Sequence, residues 1–163
     1  MKIDHCSHLT AIHRTSLPAP VKWLLKNDLI NGKVLDFGCG RCKDINPIQW
    51  DSYDPYYNPC DSIINKRKYE TILCTYVLCV LPRQDRLAVL KRIQRLLNTR
   101  LVTGSSCAFI SVRNDKPKQG WGLSKRNTYQ GRANTLPLEI IHSNSNFRIY
   151  LLTPRTDLDS LFP

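Results

Sequence analysis

Two glycines one residue apart, Gly38 and Gly40, follow a short apolar run that carries an acid, Lys33-Val34-Leu35-Asp36-Phe37. Fourteen positions after Gly40 a second acid, Asp54, closes another candidate strand. Glycine lets a turn approach a ligand where a side chain would block it. Open parallel sheets bind ligands beyond the carboxyl ends of their strands, where a carboxylate can accept hydrogen bonds from both hydroxyls of a ribose. The spacing therefore suggests an adenosine-bearing cofactor lying across the end of the first strand. The glycine pair alone is a weak signal, and its weight comes from its surroundings.

Other residues with chemical potential are less persuasive. Cys39-x-x-Cys42 looks like half of a zinc or redox motif, but no second CxxC completes it, so a neighbouring pair in a glycine loop is the better reading. His5, Cys6, His8 and His13 cluster near the start without a partner cluster of convincing spacing. They read as solvated or packed side chains, and no metal is expected. Seven cysteines is an odd count, and Cys74, Cys79 and Cys107 sit inside apolar runs as small core residues. That pattern predicts a reduced, cytoplasmic protein. No apolar run approaches the roughly 20 residues needed to cross a bilayer, and Met1 to Cys6 lacks the apolar core of a secretion signal.

The elements that must position Gly38, Gly40 and Asp54 alternate between helical and strand periodicity. Pro18-Ala19-Pro20 opens a helix through Ile30, with Val21, Leu24, Leu25 and Leu29 on one face and Asn31-Gly32 as its stop. Strands are predicted from Val34, near Trp50–Tyr53, over Tyr69–Cys74 and over Ser106–Val112, with Phe147 to Leu152 alternating as a closing strand. Residues 58–68 read as a loop, and an apolar segment runs from Leu136 to His142. Arg83 to Asn98 is the clearest helix: Leu90, Ile93 and Leu97 follow helical spacing, while Arg83, Arg86, Lys91, Arg92 and Arg95 occupy much of the rest. Strands and helices in this order predict a parallel α/β sheet in a single domain. Residues 1–32 form an N-terminal segment and helix, 33–153 the core, and 154–163 a frayed tail.

Composition points to an anionic partner. At 42% hydrophobic and 23% charged residues the 163-residue chain can bury a core, which excludes general disorder. With 24 Lys+Arg against 13 Asp+Glu the formal net charge is +11, which favours nucleic acid; solubility alone is the bland alternative. A basic, glycine-bearing loop after the fourth strand carries Lys116, Lys118, Lys125, Arg126 and Arg132, with Trp121 and Tyr129 interleaved.

Val34 to Gly40 resembles the first motif of class I S-adenosylmethionine-dependent methyltransferases, and Tyr69 to Pro82 looks like their fourth-strand segment. More closely, Thr10-Ala11-Ile12-His13-Arg14-Thr15-Ser16-Leu17, Asp54-Pro55 and Thr71 to Leu78 are similar to short bacterial and phage methyltransferases. These in turn resemble methyltransferases associated with DNA phosphorothioation. The similarity continues through Val112-Arg113-Asn114-Asp115, Thr128-Tyr129-Gln130 and Asn146-Phe147.

The resemblance implies a Rossmann-like sheet with helices on both faces and S-adenosyl-L-methionine as cofactor. It implies cofactor contacts at Asp36, Gly38, Cys39, Gly40, Asp54, Tyr56, Thr75, Tyr76 and Val77, with Arg14 either pairing with the cofactor carboxylate or capping the fold. Arg113, Asp115 and Tyr129 are candidate catalytic residues by their place after the last central strand. Asp54-Pro55-Tyr56-Tyr57 also resembles the D-P-P-Y signature of DNA amino-methyltransferases, which follows their fourth strand. Here it follows the second, so a ribose role for Asp54 is favoured, with Tyr56 covering adenine.

Two departures stand out. Cys42 occupies the place of the family's third glycine, and Tyr69 stands only 14 positions after Pro55, too few for the usual third strand plus helix. A trimmed sheet is expected. The implied reaction is methyl transfer, with nucleic acid as the leading acceptor and a small molecule or protein side chain as the alternative. A non-catalytic, nucleic-acid- or partner-binding relative is the remaining possibility.

Overall fold

The computed structural model of the chain describes residues 6–41, 45–99, 106–115, 120–123 and 128–162. Its frame is a six-stranded sheet of order β2-β1-β3-β4-β8-β7. The strands are β1 (Val34–Phe37), β2 (Asp51–Tyr53), β3 (Thr71–Thr75), β4 (Cys107–Arg113), β7 (Glu139–Ser143) and β8 (Phe147–Leu152). The first four run parallel, with Leu35 opposite both Asp51 and Ile72 and Thr75 opposite Ser111; β8 and β7 close the sheet antiparallel. The chain leaves β1 in one direction to β2 and in the other to β3. Their carboxyl ends therefore diverge at a topological switch point, a Rossmann-like arrangement.

Side-chain alternation explains why helices cover both faces. Leu35, Ile72, Cys74, Ala108 and Ile110 point to one face. There they meet Val89, Leu90, Ile93 and Leu96 of α3 (Arg83–Leu96), Ile64 of α2 (Asp61–Ile64) and Leu158 of α4 (Leu158–Leu161). Val34, Leu73, Phe109, Phe147 and Ile149 point to the other, where Val21 and Leu24 of α1 (Ala19–Lys26) cover them. Each fully buried aliphatic side chain contributes about 1.5–3 kcal/mol.

Several expectations need correcting. The first helix ends at Lys26, not Ile30, because Asp28 adopts φ +53 and Leu29 N–H reaches back to the Leu24 carbonyl at 3.1 Å, while Asp28 N–H bonds Leu25. This is a Schellman stop with aspartate in the place glycine usually takes. The long helix ends at Leu96 because Tyr69 claims the next turn: its N–H bonds the Leu96 carbonyl, and Asn98 N–H bonds the Tyr69 carbonyl. The expected loop at 58–68 contains α2, anchored by buried Ile64. The expected frayed tail is ordered through residue 162: Gln94 Nε2 donates to the Thr153 and Thr156 carbonyls and α4 buries Leu158. The basic loop includes a two-residue pairing of β5 (Gly122–Leu123) with β6 (Tyr129–Gln130), whereas Lys116, Lys118, Lys125, Arg126 and Cys42 lie outside the described residues. Arg86 is buried, donating to the Leu81 and Arg132 carbonyls instead of joining a solvated face. Cys107 is half-buried, unlike Cys74 and Cys79.

The sheet is trimmed as expected. β2 is its edge, and among the described residues between Pro55 and Tyr69 no strand lies beyond it. No helix of the described residues is long and apolar enough to cross a membrane.

Candidate active site

At the carboxyl ends of β1, β2 and β3 the chain encloses a cleft of about 800 Å³. Its floor is the turn after β1. Gly38 has φ +81 and Gly40 φ +56, conformations that suit glycine. The Tyr53 carbonyl accepts hydrogen bonds from Gly38 N–H at 2.7 Å and Cys39 N–H at 3.0 Å, binding the turn to β2. A Cβ on Gly38 would lie 2.3 Å from Val77 Cγ2, so the Val77 side chain fills the space that one on the glycine would need.

Asp54 braces the same turn. Its Oδ2 accepts from Gly40 N–H at 3.0 Å, and its Oδ1 accepts from Tyr56 and Tyr57 N–H, each at 2.9 Å. Carboxylate oxygens offer about four acceptor positions, so this bracing leaves room for a further donor. Asp36 projects from β1 toward the cleft, where Asn46 Nδ2 donates to its Oδ2 at 2.7 Å. Burial pushes its carboxyl up to about 6, the Asn46 hydrogen bond opposes that rise, and the Asp54 charge adds to it. Among the described residues no cation pairs with Asp36.

The N-terminal segment roofs the cleft. His8 stacks on Tyr56 with centroids 4.0 Å apart and planes at 14°, and Tyr57 Oη donates to the His8 carbonyl at 2.8 Å. Ala11 Cβ lies 3.2 Å from where a Gly40 Cβ would stand. Arg14 places its guanidinium 5.8 Å from the Tyr76 ring centre, and no described carboxylate pairs with it. Tyr76 itself has φ +63, unusual for a bulky residue, with its N–H bonded to the Ser111 carbonyl.

Beyond Tyr76, Arg113 grips Asp115 bidentately, Nε to Oδ1 at 2.9 Å and Nη2 to Oδ2 at 2.7 Å. The guanidinium holds the Asp115 carboxyl below the usual range, which makes it a weak base. Burial raises the Tyr76 phenol, with Arg14 opposing.

The cleft lining includes Arg14, Asp36, Gly38, Cys39, Gly40, Asp54, Tyr56, Thr75, Tyr76 and Val77. Arg113 and Asp115 line it too, whereas Tyr129 does not; its neighbour Gln130 does. Tyr129 instead packs at Gly131 beside Arg86. Sequence reasoning missed Asn46, Gln130 and Asn146 at the wall and gave His8 no role. For Asn46 the only local signal is the following Pro47, a turn marker.

Among the described residues no group of three or more metal-ligating side chains gathers. No family model matches the chain, and no curated protein matches it. Among solved structures it is similar to magnesium protoporphyrin IX methyltransferase (ChlM) of Synechocystis PCC 6803, determined with S-adenosylmethionine bound. That match has 14% identity over 82% of this chain and 75% of the other, with a TM-score of 0.44. It is also similar to PKMT2 of Rickettsia typhi, at 20% identity over 53% of this chain and 22% of the other, with a TM-score of 0.34.

Proposed function

We propose that the chain is an S-adenosylmethionine-dependent methyltransferase. The observation that carries this reading is convergence: the Gly38–Gly40 turn, Asp54, and the Thr75-Tyr76-Val77 segment line one cleft at the switch point of a parallel sheet. The cleft's charges fit the cofactor. Among the described residues Asp36 pairs with no cation and suits an ammonium or sulfonium, Arg14 pairs with no carboxylate and suits one, and Asp54 retains capacity for a ribose hydroxyl.

When bound, the cofactor supplies an electrophilic methyl group, so the protein's task is to orient an acceptor and exclude water. The glycine turn lets the ligand approach the backbone with no side chain in the way, and Tyr56 with His8 forms an aromatic rim at the nucleoside end. The Arg113–Asp115 clasp borders the far end, where it orients the acceptor; Asp115, held deprotonated by Arg113, is no proton acceptor of consequence.

For the acceptor we favour nucleic acid, on charge. Each ion pair of the described residues joins one cation to one acid, so pairing leaves the +11 excess undiminished. The sequence resemblance to phosphorothioation-associated methyltransferases, and the cytoplasmic setting expected from the cysteine pattern, accord with that choice.

Calorimetry with S-adenosylmethionine tests the cofactor, and no binding at millimolar concentration overturns the whole reading. Transfer of labelled methyl to bulk RNA or DNA, weakening as salt rises, tests the acceptor. Label confined to small molecules or protein would replace nucleic acid.

A further inference from the structure

Asn46 lies in the segment between the glycine turn and β2, and its amide spans the ends of two strands. Nδ2 donates one hydrogen to Asp36 Oδ2 on β1 at 2.7 Å and the other to Ser52 Oγ on β2 at 2.9 Å. Both amide hydrogens are thereby committed, which fixes the orientation of the group. Asp36 is half-buried at the cleft, and Asn46 is the only side-chain donor to it among the described residues.

We infer that Asn46 is a positioning residue that keeps Asp36 ionised and aimed into the cleft, so that Asp36 can receive the positive group of the ligand. This rests on the cofactor reading above and deepens it.

The surroundings show why a dedicated donor is needed. Asp54, from the turn after β2, adds repulsion, and the Cys74 thiol of β3 lies nearby, neutral and strongly raised by burial. Arg14 of the N-terminal segment faces Tyr76, and Arg113 after β4 is committed to Asp115. Arg92 of α3 is committed to Asp61 of α2. None of these cations pairs with Asp36. Its carboxylate would otherwise take up a proton near neutrality, and a protonated carboxyl does not attract a cation. A hydrogen bond to the charged form opposes that loss.

The test follows Asp36 by carboxyl-carbon NMR titration of the ligand-free protein, which needs no cofactor. In the wild type Asp36 should titrate near pH 6. In Asn46→Ala the midpoint should rise by about one pH unit, as expected for losing one hydrogen bond to a charged group. Affinity for S-adenosylmethionine should fall about twofold at pH 7 and about fivefold at pH 6, and recover by pH 8.5, a rescue that simple loss of packing would not give. Ser52→Ala keeps the amide and releases only its second anchor, so it should move the midpoint in the same direction by less. It carries the test if Asn46→Ala fails to fold. An unchanged midpoint in whichever variants fold overturns the inference, whatever the cofactor result. Wild-type protein that shows the predicted titration shifts but binds no S-adenosylmethionine overturns the proposed function alone.

Discussion

Gly38 and Val77 meet with no space for a methyl group between them: a Cβ on the glycine would stand 2.3 Å from Val77 Cγ2. The contact locks the turn after β1 to the segment after β3, and the cleft lies across that junction. Gly38→Ala should cost about 2–4 kcal/mol, combining left-handed backbone strain with overpacking. Adding Val77→Ala should recover the packing share and not the backbone share. Chemical denaturation of the single and double variants checks this.

Asp54 serves as a brace as well as a candidate ribose ligand. Asp54→Ala removes the acceptor for three backbone N–H groups and should destabilise by about 1–3 kcal/mol, since water can satisfy the more exposed of them. Asp54→Asn, which keeps one acceptor oxygen, should lose less. If the ribose role holds, both variants should bind S-adenosylmethionine at least tenfold more weakly, while 2′-deoxy and 3′-deoxy cofactor analogues should show a smaller drop. Calorimetry across that set separates the two roles.

Asp36 should make the fold less stable as pH rises. A group whose folded pKa is raised contributes stability that is complete below its unfolded value and is lost as pH climbs through the folded value. For Asp36 that window runs from 3.8 to about 6, worth at most about 3 kcal/mol. Asp36→Asn should therefore melt higher than wild type at pH 7.5, match it near pH 4, and bind the cofactor poorly. Thermal unfolding as a function of pH, paired with calorimetry, reads both effects.

The Arg113–Asp115 clasp should matter more to catalysis than to folding. Its side chains are 35% and 41% exposed, and pairs that open to solvent contribute under about 1 kcal/mol. Arg113→Ala should leave the melting temperature nearly unchanged while raising the acceptor KM about tenfold and sparing cofactor affinity. Arg113→Lys should not restore it, because an ammonium lacks the planar fork. The Asp115 carboxyl is lowered, so the pair persists as pH falls until strongly acid conditions, and it adds no inflection between pH 5 and 9.

Much of this architecture was legible because apolar runs and turn residues agree. Val34–Phe37, Thr71–Thr75 and Cys107–Arg113 lie within a residue or two of their expected places, and the glycine turn follows the first of them. Misjudged boundaries trace to tertiary partners: Tyr69 ends α3 from 27 positions upstream of Leu96, and Asp28 assumes a glycine's conformation to end α1. The cleft-lining places of Gly38, Gly40 and Asp54 were readable because these residues follow strand ends. Asn46 was not, since its significance lies in two acceptors on different strands, and Gln130 was hidden beside the more conspicuous Tyr129.

One face of the sheet rests on α1 alone among the described helices, and the segment leading into α1 is the roof over the cleft. Detachment of that N-terminal arm would wet Leu73, Phe109 and Ile149 and open the cleft in a single event. Occupancy by a small molecule would then register far from its own contacts, as slower amide exchange along the outer surface of β3 and β4.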